Sequence, residues 1–294
     1  MYQNYSSAAP NAKNNFLWTG PPGNVFIDSS TPVPVPSDAT GMFFIIGGAG
    51  GTGGTGPQGN LSGNFSGGSG GGAGAATSRM VPLFLLPKVL YIVTISGSNQ
   101  IFLSLTPDPG TVVQMALAAA ESGANGLDGN TLNRLGGAGG SFVNGTYNAG
   151  LRSIQTGVGA AGSGSTTGAA GTGYSYSATQ PFSSGGASGG GVSGVSGFVG
   201  GGASASATER TYINLQAGGA ESSAISATPG QFFSGFNRPL IGTSGSGGGG
   251  AGSSDMTAGV SMLGSGGAGG GARFFATGGL SSLGGGPFVF IQFW

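Results

Sequence analysis

Apolar residues in this chain come in short blocks, and long glycine-rich stretches separate them. The block with the sharpest outline, Met42–Ile46, runs without a linker into glycines spaced by three. Gly47, Gly50, Gly53, Gly56 and Gly59 form one row, and Gly48, Gly51 and Gly54 form a second row one residue on. An apolar run this short, bounded by breakers, predicts a strand. Met80–Leu86, Lys88–Ser96 and Ile101–Leu105 predict further strands, because β-branched and aromatic residues are frequent in them. Val25–Asp28 predicts a short one. Thr31–Pro36, TPVPVP, must be extended, because each proline fixes its own φ and drives its predecessor out of the α region. Thr111–Ala120, TVVQMALAAA, is ambiguous. Its alanines favour helix with Gly123 as a stop, its first half reads as strand, and the surrounding strands favour strand.

The last block, Pro287–Trp294 (PFVFIQFW), is apolar on both faces, as a buried strand is. A strand does not stand alone. The C-terminal segment is therefore expected to return to the sheets formed before residue 120 and close one β domain. Three units follow: an arm over 1–24, a β anchor over 25–120 plus 287–294 that carries a glycine loop at 47–78, and a glycine-rich region over 121–286. In the third unit glycine recurs every three residues in separate segments: at 123, 126 and 129; at 159, 162, 168 and 171, with Ser165 breaking the row; at 191, 194, 197 and 200; and at 264, 267 and 270.

Three residues per turn is the polyproline II helix, which rises about 3.1 Å per residue and has no internal hydrogen bonds. Its N–H and C=O groups point outward and need partners when buried. Glycine on one edge lets neighbouring helices come close enough to bond. The cost is the backbone entropy of glycine, the largest of any residue. Loose loops are the competing reading. The expected fold class is all-β: a β-sandwich-like anchor domain closed by the C-terminal strand, with a glycine-rich polyproline II helix bundle inserted. The run Gly47–Gly59 would reach on the order of 40 Å in this form.

Composition narrows the picture. Glycine is 69 of 294 residues and proline only 15, short of the third glycine and high proline of collagen. Charged residues are 5 %, eight of each sign, and there are 18 Phe. Disordered chains have the opposite profile, low hydrophobicity and high net charge. The cations Lys13, Arg79, Lys88, Arg134, Arg152, Arg210, Arg238 and Arg273 are scattered, so nucleic acid is not an expected partner. Met80–Ile95 is broken by Pro82, Pro87 and Lys88, and no membrane insertion is expected. The opening residues lack a basic start and an apolar core, so no secretory leader is expected.

Candidate chemistry is sparse. Gly48-Ala-Gly50-Gly-Thr-Gly53 matches G-x-G-x-x-G after a strand, but the dinucleotide fingerprint needs a helix next, and more glycine follows. The chain has no histidine, which removes the commonest general base and metal ligand. It has no cysteine, hence no thiolate chemistry. The carboxylates from Asp28 to Asp255 form no close pair in sequence. No catalytic, cofactor-binding or metal-binding residues are expected, and no enzyme. Asn4, Asn60, Asn64 and Asn144 sit in N-x-S/T sequons, which chance supplies in a chain this rich in Asn, Ser and Thr.

The binding signal is the aromatic residues between glycine runs, since rigid aromatics on loops suit recognition of glycans or protein surfaces. Tyr174, Tyr176, Phe232, Phe233 and Phe236 are the candidate receptor-binding residues. Phe198, Phe274 and Phe275, close to regular runs, read as padding of a glycine bundle. In the arm, Phe16 and Trp18 either anchor in a groove of a neighbour or pack on the chain's own body.

These residues resemble a family of glycine-rich virion proteins, best known as phage tail-fibre tips and adhesins. Pro-Val-Pro-Ser-Asp-Ala-Thr-Gly before MFFIIGGAGG looks like the family's opening motif: a turn, an apolar strand, then a glycine burst. Arg79–Gly97, ending in LYIVTISG, looks like its second hairpin, with Pro87-Lys88 where the family has Pro-Gly. GGGPFVFIQFW looks like its closing strand. The resemblance implies a β-rich base mounted on the virion and a sandwich of polyproline II helices whose end loops touch a host receptor. It implies a virion-surface location, after synthesis in the host cytoplasm. The implied partners are other virion proteins and a host surface glycan or outer-membrane protein, with a homo-oligomer left open. A minor capsid or decoration protein with a purely structural role is the alternative, and an ice-binding protein with a flat polyproline II face is a third.

Overall fold

The computed structural model describes residues 14–23, 29–57, 63–82, 87–95, 100–107, 116–139, 142–144, 153–157, 185–193, 197–199, 232–235, 238–242, 263–273 and 279–294, with positions 162, 164, 166, 167, 169, 201, 258 and 261. Every regular element among them is a β-strand. In chain order these are β1 (Asn14–Thr19), β2 (Ser29–Pro34), β3 (Gly41–Gly47), β4 (Asn64–Phe65), β5 (Ala76–Pro82), β6 (Val89–Thr94), β7 (Gln100–Ser104) and β8 (Ala116–Glu121). There follow β9 (Phe142–Asn144), β10 (Ser153–Gly157), β11 (Val192–Ser193), β12 (Gly197–Phe198), β13 (Phe232–Gly235), β14 (Arg238–Gly242) and β15 (Phe288–Phe293). All pairings between them are antiparallel.

The closing strand sits inside its sheet, in the order β1-β15-β3-β5-β10. It pairs with β3 from Phe293↔Met42 to Phe288↔Gly47 and with β1 on its other side. Both faces of β15 are apolar because both are covered. Val289, Ile291 and Phe293 enter one buried cluster with Met42, Phe44 and Ile46 of β3. Phe288 and Ile45 enter another with Leu17, and Phe43, Phe290 and Leu263 pack against it. Glycine marks both ends of β3 for a steric reason. A Cβ on Gly47 would strike the Phe288 ring, and one on Gly41 would strike the Trp294 indole.

The second sheet runs β2-β6-β7-β8-β9. Its edge position explains the TPVPVP stretch. Val35 donates its N–H to the Lys88 carbonyl at 2.9 Å, so the residues on its parity face β6, and Pro32 and Pro34 place their missing donors on the outer side of the edge. Leu90, Ile92, Ile101, Leu103 and Ala120 of this sheet share the buried cluster that holds Phe44 and Val289, so one core serves both sheets. Between Ala118, paired with Leu103, and Ala116, paired with Ser104, Leu117 is a bulge residue. The bulge lets Leu117 and Ala118 both enter the core.

Strands from all three expected units meet in these two sheets. Residues 1–24, expected as an arm, supply β1 to the anchor sheet, and Phe16 and Trp18 pack against the chain's own core, partly buried. Residues 121–286, expected to be glycine segments and loops, also supply β9 beside β8 and β10 beside β5. Their sequences, FVN and SIQTG, are too short to stand out among glycines. The glycine loop 47–78 holds the first two of the glycine-rich segments described next. Val25–Asp28 and residues 111–115 of the ambiguous segment lie outside the described residues.

Candidate functional site

Among the described residues, six glycine-rich segments bond backbone to backbone, and four of them run directly from or into strands of the two five-stranded sheets. The first, 48–57, continues β3. The second, 66–75, leads into β5. The third, 121–130, continues β8. The fourth and fifth are 185–191 and 264–273. The sixth, 279–287, leads into β15.

The hydrogen bonds between these segments repeat every three residues. Gly48, Gly51 and Gly54 donate to Ala75, Gly72 and Ser69 of the second segment. Gly50, Gly53 and Gly56 donate to Gly285, Ser282 and Gly279 of the sixth. The two glycine rows of the first segment thus serve two different neighbours. Its carbonyls serve two more: Ala49, Thr52 and Thr55 accept from Gly123, Gly126 and Gly129, and Gly51, Gly54 and Pro57 accept from Gly267, Gly270 and Arg273. The second segment donates from Gly68, Gly71 and Gly74 to Gly270, Gly267 and Gly264, and accepts from Gly186 and Gly189 of the fourth.

Glycine is required at these rows because carbonyls fill the space beside them. A Cβ on Gly50, Gly53 or Gly56 would strike the carbonyl oxygens of Ser265, Ala268 and Gly271; one on Gly48, Gly51 or Gly54 would strike those of Glu121, Ala124 and Leu127. Residues 66–75 and 185–191 are buried throughout. Their polar groups need partners, and neighbouring backbones supply them.

Side chains complete the bonding where the backbone rows leave a donor. Leu127 and Asn130 donate their N–H groups to the buried hydroxyls of Ser69 and Ser66 at 2.7 and 3.1 Å. Thr52 donates its N–H to Asn125 Oδ1 at 2.9 Å, and Thr55 donates its N–H to Asp128 Oδ1 at 2.7 Å. Ala268 donates to Ser282 Oγ at 2.7 Å. Sequence reasoning did not single out these residues. The signal was present: Ser66 and Ser69, and likewise Asn125 and Asp128, are themselves spaced by three.

The end of the bundle away from β3 and β5 is closed by a small sheet, β12-β11-β4, in which Val192 pairs with both Phe65 and Phe198. Phe65, Val192 and Ala272 form a buried cluster there. Past the third segment, Asn133 Oδ1 accepts the Thr167 N–H at 2.9 Å. Leu132 and Leu135 are 63 % and 79 % exposed on the same stretch. Leu280 and Leu283, three residues apart on the sixth segment, are also exposed.

Of the candidate receptor-binding residues, Phe232 and Phe233 lie in β13, which pairs with β14 as Phe232↔Gly242 and Phe233↔Ile241. Tyr174, Tyr176 and Phe236 lie outside the described residues, as do Phe274 and Phe275. Phe16 and Trp18 are brought together on β1, beside β15. Among the described residues no group of three or more Asp or Glu converges as a metal site would require. The chain matches no known family model and no curated protein.

Proposed function

We propose that this protein is a virion-surface component of a fibre tip or spike, mounted through its β-sheets and presenting loops to a receptor on the host surface. The observation that carries the reading is the glycine bundle, bonded through its backbone at every third residue and continuous in sequence with both sheets. Period-three bonding fits polyproline II helices, whose outward groups recur on the same side every three residues. In that form residues 48–57 carry the chain about 30 Å from the sheet. The two sheets sharing one core act as a β-sandwich base, and the bundle is a rigid spacer with little side-chain bulk.

The partners under this reading are other virion proteins at the base and a host glycan or outer-membrane protein at the loops. Tyr174, Tyr176, Phe232, Phe233 and Phe236 remain the proposed contact residues, and the exposed Leu132 and Leu135 join them as apolar contacts near the bundle's closed end. The sequence resemblance to tail-fibre tips and adhesins supports the same assignment.

The test is a particle without this protein. It should assemble normally and fail to adsorb to its host. A variant with Phe232, Phe233 and Phe236 changed to Ser should incorporate normally and adsorb poorly. Particles that adsorb fully without the protein would rule the receptor role out. A structural reading, as a minor capsid or decoration protein, is favoured by the exposed Leu280 and Leu283, which suit burial against coat subunits. Under it, loss of the protein reduces particle yield or stability and leaves the adsorption of surviving particles unchanged.

A further inference from the structure

The third glycine segment contains Asn125-Gly126 and Asp128-Gly129, two dipeptides at the same phase of the three-residue period. In both, the glycine nitrogen can attack the side-chain carbonyl carbon of the preceding residue, and glycine offers the least steric resistance to that approach. Both Asn125 and Asp128 are exposed, so water reaches them.

The bundle restrains both reacting groups at each dipeptide. Gly126 donates its N–H to the Thr52 carbonyl at 2.8 Å, while Thr52 donates its own N–H to Asn125 Oδ1 at 2.9 Å. One level along, Gly129 donates to the Thr55 carbonyl at 2.8 Å, and Asp128 Oδ1 accepts from the Thr55 N–H at 2.7 Å and from its hydroxyl at 2.8 Å. A single threonine therefore holds the nucleophile with its carbonyl and the electrophilic side chain with its amide, and the arrangement occurs twice.

We propose that Asn125–Gly126 and Asp128–Gly129 are latent succinimide-forming sites, held unreactive by Thr52 and Thr55 while the third segment lies on the first, and released when the two segments part. At Asn125 the Gly126 nitrogen bonds to Cγ and loses its proton, and the side-chain nitrogen leaves as ammonia. Water then opens the ring to aspartate or isoaspartate. At Asp128 the same attack expels water, and hydrolysis returns aspartate or isoaspartate. Isoaspartate routes the main chain through the side-chain methylene. The added backbone atom puts the following glycines out of step with the Thr52 and Thr55 carbonyls. Opening of this face then becomes irreversible.

The test compares the full-length folded protein with the same protein in urea, in one mildly alkaline buffer. Tryptic peptide 89–134 is followed over time. Amide-to-acid conversion at Asn125 is read by mass, and isomerisation at Asp128 by chromatographic splitting. Both reactions should run roughly tenfold or more slower in the folded protein, as expected for sites that react only from an open state. Equal rates in the two samples would overturn the proposal, as would protection of Asn125 without protection of Asp128. Hydrogen exchange at Gly126 and Gly129 separates the clamp from general compactness. At low urea the reaction should speed up in step with the opening of these amides, and a rate independent of that opening overturns the clamp.

Discussion

Gly51 donates its backbone N–H to the carbonyl oxygen of Gly72 at 2.8 Å, and the Ala124 carbonyl fills the space that a side chain on Gly51 would need. The Gly51 carbonyl in turn accepts from Gly267. One residue thus ties the first segment to the second and the fifth, and a close carbonyl of the third leaves it no room for a side chain. In a core of this kind the specificity lies in the absence of a Cβ.

The first prediction follows from that geometry. Gly51→Ala forces backbone apart, because the obstacle is a carbonyl and not the end of a flexible side chain. Overpacking costs about 1–3 kcal/mol, and each buried donor or acceptor left unpaired adds roughly 1–3 kcal/mol. A loss of about 3 kcal/mol or more is expected in urea denaturation. Thr52→Ala, one residue on and partly exposed, keeps every backbone bond and should shift stability by less than about 1 kcal/mol. Similar losses for the two variants would show that the glycine rows are not close-packed.

A second prediction concerns the side chains that cap the first segment. Asp128→Asn keeps an oxygen at the position that accepts the Thr55 N–H and should be close to neutral. Asp128→Ala removes the acceptor of two bonds, from the Thr55 N–H and its hydroxyl, and should cost about 1–2 kcal/mol, at the usual net value of each. Asn125→Asp should likewise be tolerated, because Asp128 already does the same work one level along. Thermal denaturation of the three variants checks the ordering. A destabilised Asp128→Asn beside a neutral Asp128→Ala would show that charge, not the accepted bond, matters there.

The pairing of Gly47 with Phe288 gives a third. The ring lies where a Gly47 Cβ would go, and Phe288 is almost wholly buried. Phe288→Ala should cost about 3–5 kcal/mol, as large aromatic truncations in a core do. Gly47→Ala alone should also destabilise. Together the two should cost less than their sum, with a coupling of about 0.5–3 kcal/mol, because removing the ring makes room for the new methyl. Strict additivity in a double-mutant cycle would mean that the ring is not what excludes a side chain at Gly47.

Strands β3, β6, β7 and β15 were legible in the sequence because apolar and β-branched residues set them off from their flanks. The return of β15 to β3 was legible because PFVFIQFW is apolar on both faces and so had to be covered twice. The glycine rows were legible as rows. Which row meets which segment was not, because backbone-to-backbone bonds carry no residue identity: Gly51 to Gly72 and Gly53 to Ser282 are the same interaction in sequence terms. The capping residues Asn125 and Asp128 could have been found by asking which side chains recur at the period of the glycines. Strand β1 was hidden by its setting, since its polar start, Asn14 and Asn15, masks the Phe-Leu-Trp that pairs with β15. The two-residue strands β4, β11 and β12 carry too little pattern for any periodicity to register.

The last prediction turns on Trp18. The sequence leaves two roles open for it, a plug into a neighbouring subunit or a part of the chain's own body. In the structure it sits on β1 opposite Val289 and packs, partly buried, against the cluster shared by both sheets. Trp18→Ala should therefore destabilise the isolated protein, with no other protein present. Full aromatic truncation in a core costs about 3–5 kcal/mol, and a partly buried ring should give about half of that. Removing residues 1–24 should do more, since it strips an edge strand from β15 and exposes that strand's backbone. Under the proposed virion location, a particle lacking the protein after such a deletion would report a damaged base as readily as a missing attachment arm. The discriminating measurement is the melting temperature of purified Trp18→Ala. A lowered value places the residue in the fold. An unchanged value, with incorporation into particles lost, would assign it to a neighbour's groove.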